Sequence, residues 1–597
     1  MLRFIKSTRL YLVVPMVAGL LAAALCLPAA AWACGGFFCF TTPVDQSAER
    51  ILYLQHEDKV TVHIQISYTG DDKKFSWVLP LLSVPELGVG SDSVFQILEQ
   101  QTTPRFNLQW QNTSECNGYT ACDYEYAVPQ AGGGDGGGEG GVVVLKQEKV
   151  GPYDTVTIQG KDGAELVKWL NDNGYVQPKE TAPLVDVYAK DGYVFLALKL
   201  QKDSGAGDLA PIVVTLDETA PCLPIRLTKL AASPDMPIVA WVLGKQRAIP
   251  KNFLHVVLNE ATIDWLAPGT NYKTVVSKAV DQASGHAFTT EYAKKSSDFQ
   301  GQFFNPGWDA KPFEKITDPG KFMQELLQKG WPRTTQMQQL LKKHIPKPVA
   351  FGAVTDSEFY GCIQNGSGGD DCNKWLAAVA QQGFDPVAFA KDLDTLIAKP
   401  LAEVQQAFKD LAYLTRLYTT VDPSEMTKDP IFAFNGDLPD VDNQHTAKAF
   451  PICKAGSNQA HEAKLVFADG HEVTQTLPKN TDGCVGFGGD ASFGKGTQPV
   501  VSAGGQPAEK VQVLDESGPP LEIHPEDADK VDAALNSAKP GKQSLSDDFI
   551  ASLNKEKWDA KRSEYVPPAR EQDAGSGAPV TPDATSGGSG GSVAAGS

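Results

Sequence analysis

The feature that most constrains this chain is the junction between an export signal and a cysteine pair. Arg3, Lys6 and Arg9 form a positive n-region, Leu10 to Leu27 form an apolar h-region, and Ala31-Trp32-Ala33 is a small-x-small cleavage site. Cleavage after Ala33 makes Cys34 the first mature residue, at the head of Cys34-Gly35-Gly36-Phe37-Phe38-Cys39. A chain that matures outside the cytosol can fold around covalent sulfur links. The expected location is the periplasm, the cell surface or the extracellular space.

Cysteine usage agrees with that compartment. Cys26 leaves with the signal, and eight of the remaining cysteines form sequence-near pairs: Cys34 with Cys39, Cys116 with Cys122, Cys362 with Cys372, and Cys453 with Cys484. Each pair closes a short loop and is worth roughly 2–4 kcal/mol. Spacing nominates these pairs without proving connectivity. Cys222 is left over. It reads as a buried, inert thiol between Pro221 and Pro224, or as the partner of Cys39 if Cys34 carries lipid, or as a reactive thiol. Trp32 and Ala31 argue against lipidation, since lipoprotein signals usually carry a small residue and Leu at those positions. No basic residue lies within three positions of Cys222 to lower its pKa.

Removing three positive charges and no acidic ones takes the net charge from −19 to about −22. Such a surface repels nucleic acid and anionic lipid headgroups, so neither is expected as a partner. An unknown envelope or extracellular partner is expected instead. A chain of 597 residues, 42% apolar, can bury several cores. No apolar run after the signal is long enough to span a bilayer, so no transmembrane helix is expected once the signal is cleaved.

Hydrophobic periodicity divides the chain. In Lys59 to Tyr68, Val60, Val62, Ile64, Ile66 and Tyr68 alternate with Thr61, His63, Gln65 and Ser67, the pattern of a half-buried strand. Further strands are expected at 75–82, 142–145, 155–158, 194–200, 212–216, 238–243 and 253–258. Helices are expected at 93–101 and 162–173, the second closed by Gly174. Beyond residue 305 the pattern turns helical, over 318–329, 334–344, 375–382, 387–398 and 401–418, with the Cys362 to Cys372 loop breaking the block. Thr355 to Glu358 and Asp422 to Glu425 have capping-box spacing. Ala463 to Thr476 reads as a hairpin turning at Asp469-Gly470.

The expected fold class is α+β: a mainly antiparallel β N-terminal domain, a helical region, a small β-rich segment and a disordered tail. The expected boundaries are 1–33 for the signal, 34–304 for the β-rich domain, 305–429 for the helical region, 430–525 for the disulfide-containing segment, 526–566 for weak helix and 567–597 for the tail. The glycine-rich stretch 131–141 lacks the Gly-Lys-Ser/Thr ending of a phosphate loop, and Asp135 and Glu139 would repel phosphate. It reads as a flexible connection.

Candidate chemistry is sparse. His461-Glu462 and His471-Glu472 lie on opposite arms of the hairpin, too far apart for one metal, and neither His-Glu-x-x-His nor Cys-x-x-Cys occurs. There is no Gly-x-Ser-x-Gly elbow, and no histidine is nominated as a partner for Cys222; His255 and His286 read as structural. No catalytic or cofactor-binding residue is named. Asp437, Asp440 and Asp442, with Asn443, form the best cation candidate, a cluster of hard oxygen ligands suited to calcium, with no EF-hand spacing. Trp77, Trp110, Trp169, Trp241, Trp265, Phe37 and Phe38 read as core, or as carbohydrate-stacking rings if exposed.

Several segments together carry a resemblance. They are Cys34 to Cys39, Pro43-Val44-Asp45-Gln46, Ala48-Glu49-Arg50-Ile51, Trp77-Val78-Leu79-Pro80, Val84-Pro85-Glu86-Leu87, Pro104-Arg105-Phe106, Trp169 to Tyr175, His286-Ala287-Phe288, Thr290-Glu291-Tyr292 and Leu414 to Tyr418. Over roughly 34–440 the chain resembles the bacterial exported family known as domain of unknown function twenty-three thirty. That resemblance implies no activity and no functional residues. In the motifs themselves, Gly35 and Gly36 permit the tight turn of a Cys34–Cys39 link, Phe37 and Phe38 are placed to plug into the sheet, and Arg50 is expected to pair with Glu49 or Asp45. Three functions are compatible with all this: an envelope binding or structural protein, an envelope hydrolase with a site assembled from distant residues, and a calcium-dependent surface protein.

Overall fold

A computed structural model of the chain describes residues 49–549 apart from internal segments, chiefly 67–75, 112–142, 202–208, 478–508 and 538–545. The signal, Cys34, Cys39, Cys116, Cys122, Cys484, His471, Phe37, Phe38, the stretch 131–141 and the tail 567–597 lie outside the described residues.

In chain order the strands are β1 (Glu49–Gln55), β2 (Val60–Ile66), β3 (Ser76–Leu81), β4 (Glu86–Val89), β5 (Arg105–Trp110), β6 (Val143–Val150), β7 (Tyr153–Gln159), β8 (Val194–Leu200), β9 (Ile212–Leu216), β10 (Met236–Gly244), β11 (Ala248–Pro250), β12 (Leu254–Leu258), β13 (Ala287–Lys295), β14 (Tyr413–Val421), β15 (Phe432–Phe434), β16 (Gln444–Cys453), β17 (Ala460–Val466), β18 (Glu472–Thr476), β19 (Glu509–Val513) and β20 (Leu521–Ile523). The helices are α1 (Asp92–Thr102), α2 (Gly163–Asp172), α3 (Thr181–Lys190), α4 (Tyr272–Asp281), α5 (Pro319–Gln328), α6 (Thr335–His344), α7 (Asp356–Asn365), α8 (Gly369–Gln382), α9 (Pro386–Leu393), α10 (Lys399–Asp410) and α11 (Ala528–Ser537). No described helix is long and apolar enough to cross a membrane.

A ten-stranded sheet, ordered β20-β19-β12-β13-β14-β10-β1-β2-β9-β4, runs through the molecule. A four-stranded sheet, β3-β8-β7-β6, packs on one of its faces; a second, β18-β17-β16-β5, and the pair β11-β15 complete the β structure. Strand pairing is antiparallel except at β1/β10, β12/β13 and β5/β16. The class is α+β, with antiparallel-rich sheets and a helical block, as the sequence pattern predicts.

Alternation along β1 explains the layering. Ile51 and Tyr53 face the β3-β8-β7-β6 sheet, while Leu52 and Leu54 face α1 and the helices of 319–410. All four are buried, because successive side chains on a strand point to opposite faces and both faces are covered. The same holds for β2, which corrects the half-buried expectation. Val60, Val62 and Ile64 do share one face, but His63 on the other is only 4% exposed. The polar residue at 63 gave the strand an amphipathic look that its central position overrides.

Local signals elsewhere are obeyed. The Asp162 carboxylate accepts from the backbone N–H of Ala164 and Glu165 at the start of α2, and Gly174 past its end has φ +80°. Thr355 and Glu358 bond reciprocally as a capping box, Thr355 N–H to Glu358 Oε2 at 2.8 Å and Glu358 N–H to Thr355 Oγ1 at 3.2 Å. β17 and β18 form the expected hairpin, with Val466 opposite Glu472. The apolar stripe of 401–418 differs from expectation: it is not one helix. α10 ends at Asp410, and Tyr413–Val421 becomes β14, in the interior of the large sheet with β10 on one side and β13 on the other. A run rich in Thr, Tyr and Val gains two hydrogen-bonded neighbours there, which local periodicity cannot anticipate.

Cys362 in α7 and Cys372 in α8 form a disulfide, their Cα atoms 5.9 Å apart. Both cysteines lie within helices, so the link ties the end of α7 to the start of α8. Cys453 is also disulfide-bonded.

Candidate functional site

Between the large sheet and the β3-β8-β7-β6 sheet lies a cavity with about 570 Å³ of empty space, part of it open to solvent. Its walls come from alternate residues of β1, β2, β9 and β3, among them Ile51, Val62, Val214, Trp77 and Leu79. The segment from Cys222 to Thr228 forms its rim. The wall is apolar because it is built from the inward faces of paired strands: Ile51 sits opposite Ile64, and Val62 opposite Val214.

The polar atoms around this cavity have partners within the protein. Glu49 Oε1 accepts from the Thr228 hydroxyl at 3.1 Å, and the Tyr53 hydroxyl donates to the Cys222 carbonyl at 3.2 Å. Behind the rim, Asp429 accepts from Arg226 Nε at 2.9 Å, from the Arg226 N–H at 3.1 Å and from the Tyr188 hydroxyl at 2.9 Å. The Arg226 guanidinium lies over the Tyr188 ring, 4.3 Å from its centre. This knot fixes the rim to β15 and α3.

Cys222 is a free thiol and is half-buried. Burial, reinforced by the Asp429 carboxylate, pushes its pKa up. Cys222 and Glu49 therefore line one cavity, but the thiol is held protonated, and no histidine is among the described lining residues. A cysteine nucleophile needs the opposite setting, a nearby cation or base that favours thiolate.

The opposite face of the large sheet gathers a second polar group, assembled from motif residues that the sequence could not connect. Arg416 of β14, with a side chain 5% exposed, bonds Glu291 through Nε, and its Nη1 lies 2.9 Å from Glu99 and 3.0 Å from the Thr103 hydroxyl. Arg50 reaches the other Glu99 oxygen at 3.0 Å. The Arg416 guanidinium stacks over Trp241, 5.0 Å from the ring centre, while the Trp241 Nε1–H donates to Thr102 at 2.9 Å. Although burial raises Glu99, the charges of Arg416 and Arg50 hold its carboxyl below the ordinary range. The expected pairing of Arg50 with Glu49 is thus corrected: adjacent residues on a strand point to opposite faces, so Glu49 reaches the cavity and Arg50 reaches Glu99; Asp45, the other expected partner, lies outside the described residues. Only the presence of Glu-Arg in a strand was available as a signal.

The calcium candidates do not converge. Asp437 accepts from the Gly518 N–H at 3.3 Å, Asp440 from the Tyr413 hydroxyl at 2.5 Å, and Asp442 pairs with Lys294 at 2.5 Å. Asn443 turns its amide inward to the Gln101 and Thr103 carbonyls at the end of α1. Among the described residues no group of three or more His, Cys, Asp and Glu side chains is placed to hold a metal. With three carboxylates spent on three different partners, chelation is expected to leave the melting temperature unchanged; a fall of more than a few degrees in a calorimetric scan with EDTA would reinstate calcium.

Three of the described histidines have evident structural partners. His286 Nδ1 lies 3.1 Å from Asp532 of α11, which also pairs with Lys428, so this cluster fastens α11 to the body. His255 shares hydrogen bonds with Thr290 at 3.1 Å and Gln512 at 3.3 Å. His461 Nδ1 lies 3.1 Å from the Ile452 carbonyl on the neighbouring strand. Trp77, Trp169, Trp241 and Trp265 are buried and Trp110 is half-buried, so the first four rings serve the core.

Fold and site together describe a layered α+β protein with an apolar inter-sheet cavity and a buried ionic network. The profile of the family described as uncharacterized protein conserved in bacteria (DUF2330) matches residues 28–433, and the chain belongs to that family. No curated protein and no solved structure matches it.

Proposed function

We propose that this is an exported, disulfide-stabilised protein of the cell envelope with a binding or structural role instead of a catalytic one. The observation that carries this reading is the chemistry of the cavity: a protonated thiol, a carboxylate bonded to the Thr228 hydroxyl, and apolar walls. General acid–base or nucleophilic work requires a group poised to exchange a proton near neutral pH, with a base or acid in reach. The Cys362–Cys372 link favours an oxidising compartment, and the residue pattern at 1–33 supplies the route there.

Purified exported protein is expected to show no turnover above buffer on ester, peptide and glycoside panels. Turnover abolished by Cys222→Ser or Glu49→Gln would overturn the reading in favour of an envelope hydrolase. Intact-mass measurement of the same preparation is expected to show cleavage after Ala33.

A further inference from the structure

We propose that Lys428 and Asp532 are joined by an intramolecular isopeptide bond, an amide between the lysine Nζ and the aspartate Cγ. The link goes beyond the non-catalytic reading and does not depend on it, since it forms once per chain and turns nothing over. The two residues are 104 apart in sequence, and the Lys428 Nζ touches the Asp532 carboxyl. Their side chains are 10% and 16% exposed. No other lysine in an ion pair of the described residues is less than 22% exposed. The pair packs against an aromatic ring: Nζ lies 5.1 Å from the centre of Phe253, which also meets the His286 ring edge-on, 5.3 Å between centres. α11 holds Asp532 in place, because Ala528, Val531 and Leu535 bury one face of the helix and Ser284 bonds Asp529 at 2.7 Å.

His286 supplies the proton relay. Its Nε2 lies 3.0 Å from the Glu425 carbonyl and 2.9 Å from the Thr427 hydroxyl, and Nδ1 lies 3.1 Å from Asp532. A carbonyl only accepts, so Nε2 carries a hydrogen and Nδ1 is the atom that gives a proton to the carboxyl or takes one from it. Burial pulls the Lys428 pKa down against the charge of Asp532, toward the free amine that a nucleophile needs. Burial pushes Asp532 up, but His286 and Lys428 outweigh it and hold the carboxyl below its ordinary range. The acid form therefore arises by proton transfer inside the cluster. One proton passes from the ammonium to the carboxylate, directly or through Nδ1, and leaves an amine and a carboxylic acid. In an apolar site this exchange removes two charges. The amine lone pair then attacks Cγ, a second proton moves from Nζ to the departing hydroxyl, the C–O bond breaks and water leaves. Ammonium plus carboxylate gives amide plus water, with no other reactant. Fixed contact between the two groups supplies the proximity that an intermolecular condensation lacks.

The full exported protein is reduced, denatured and weighed by intact-mass spectrometry. The expected mass is that of the mature chain less one water, and Lys428→Arg and Asp532→Ala should each restore the missing water. Trypsin does not cut after an acylated lysine, so a digest should yield one branched peptide, Leu417–Lys448 joined to Val531–Lys542. His286→Gln should lower the linked fraction at least tenfold in protein harvested at the same time. The wild-type measurements decide the question even if a variant does not fold. A folded wild-type chain of full mass has an ion pair only, and overturns the proposal. A water loss that persists in Lys428→Arg, with no branched peptide, marks a succinimide at a step such as Asp191-Gly192 and also overturns it. A linked fraction unchanged in His286→Gln overturns the relay assigned to that ring. Each of these failures leaves the non-catalytic reading intact, whereas turnover on the substrate panels sinks that reading without touching the link.

Discussion

Replacing Arg416 with alanine is expected to destabilise the protein by about 3–5 kcal/mol, measured by urea unfolding at neutral pH. The side chain it leaves behind, Glu291, is 1% exposed, and Glu99 loses one of its two arginines. Burying a charge without a partner costs far more than the pair contributes in excess of an apolar substitute. The cost should therefore depend on Glu291. A combined Arg416→Met, Glu291→Leu variant is expected to recover most of the loss, because methionine can lie against Trp241 and leucine against Tyr272, and no charge remains without its counterpart at those two positions. The coupling energy between the two sites then exceeds 1 kcal/mol in a double-mutant cycle. A loss below 1 kcal/mol for Arg416→Ala would show that water reaches Glu291 and that the network is not sealed.

Acidification between pH 6.5 and 4 should also unfold the protein, through two buried histidines. Burial lowers His63 to about 4, and burial together with the Arg247 charge lowers His255 to about 3, against about 6.5 in an unfolded chain. Between those values the unfolded state binds protons that the folded state refuses, so stability rises with pH. The contribution is fully present above pH 6.5 and is lost as pH falls toward the folded values. With two protons involved, the slope approaches about 3 kcal/mol per pH unit near pH 5. His63→Gln or His255→Gln should each remove about half of that slope. Urea midpoints at half-unit pH intervals give the measurement, and a flat profile from pH 6.5 to 4.5 would contradict the sealed environment of both rings.

Much of the architecture was visible before any tertiary information. Strands 194–200 and 212–216 begin and end where their apolar runs say they should. The cap at Asp162, the capping box at Thr355 and Glu358, and the turn after α2 follow from side chains a few residues apart. Two residues of the Val60, Val62, Ile64 row, Val62 and Ile64, even line one wall of the cavity. What failed was local reasoning at places where a partner arrives from afar. The stripe of 401–418 reads as one helix until β10 and β13 claim its second half. His63 looks solvent-facing because nothing near it in sequence reveals the layer packed above it.

The candidate sites were less visible still. Glu49 and Arg50 are neighbours in the chain, yet one belongs to the cavity and the other to the ionic network on the far side of the sheet. Glu291 meets Arg416 because the ladder between β13 and β14 shifts register between Thr290 and Tyr292, a bulge that leaves Glu291 as the extra residue. The sequence by itself determined the elements, their caps, the cysteine pairings worth testing and the family, since all of these depend on contacts or patterns within a few residues. Tertiary structure alone decided which carboxylate meets which arginine, that Cys222 borders an apolar hollow, and that the three aspartates of 437–442 bond three different partners. Those outcomes depend on segments distant in the sequence being brought side by side, and contacts of that kind leave no periodic trace in the chain.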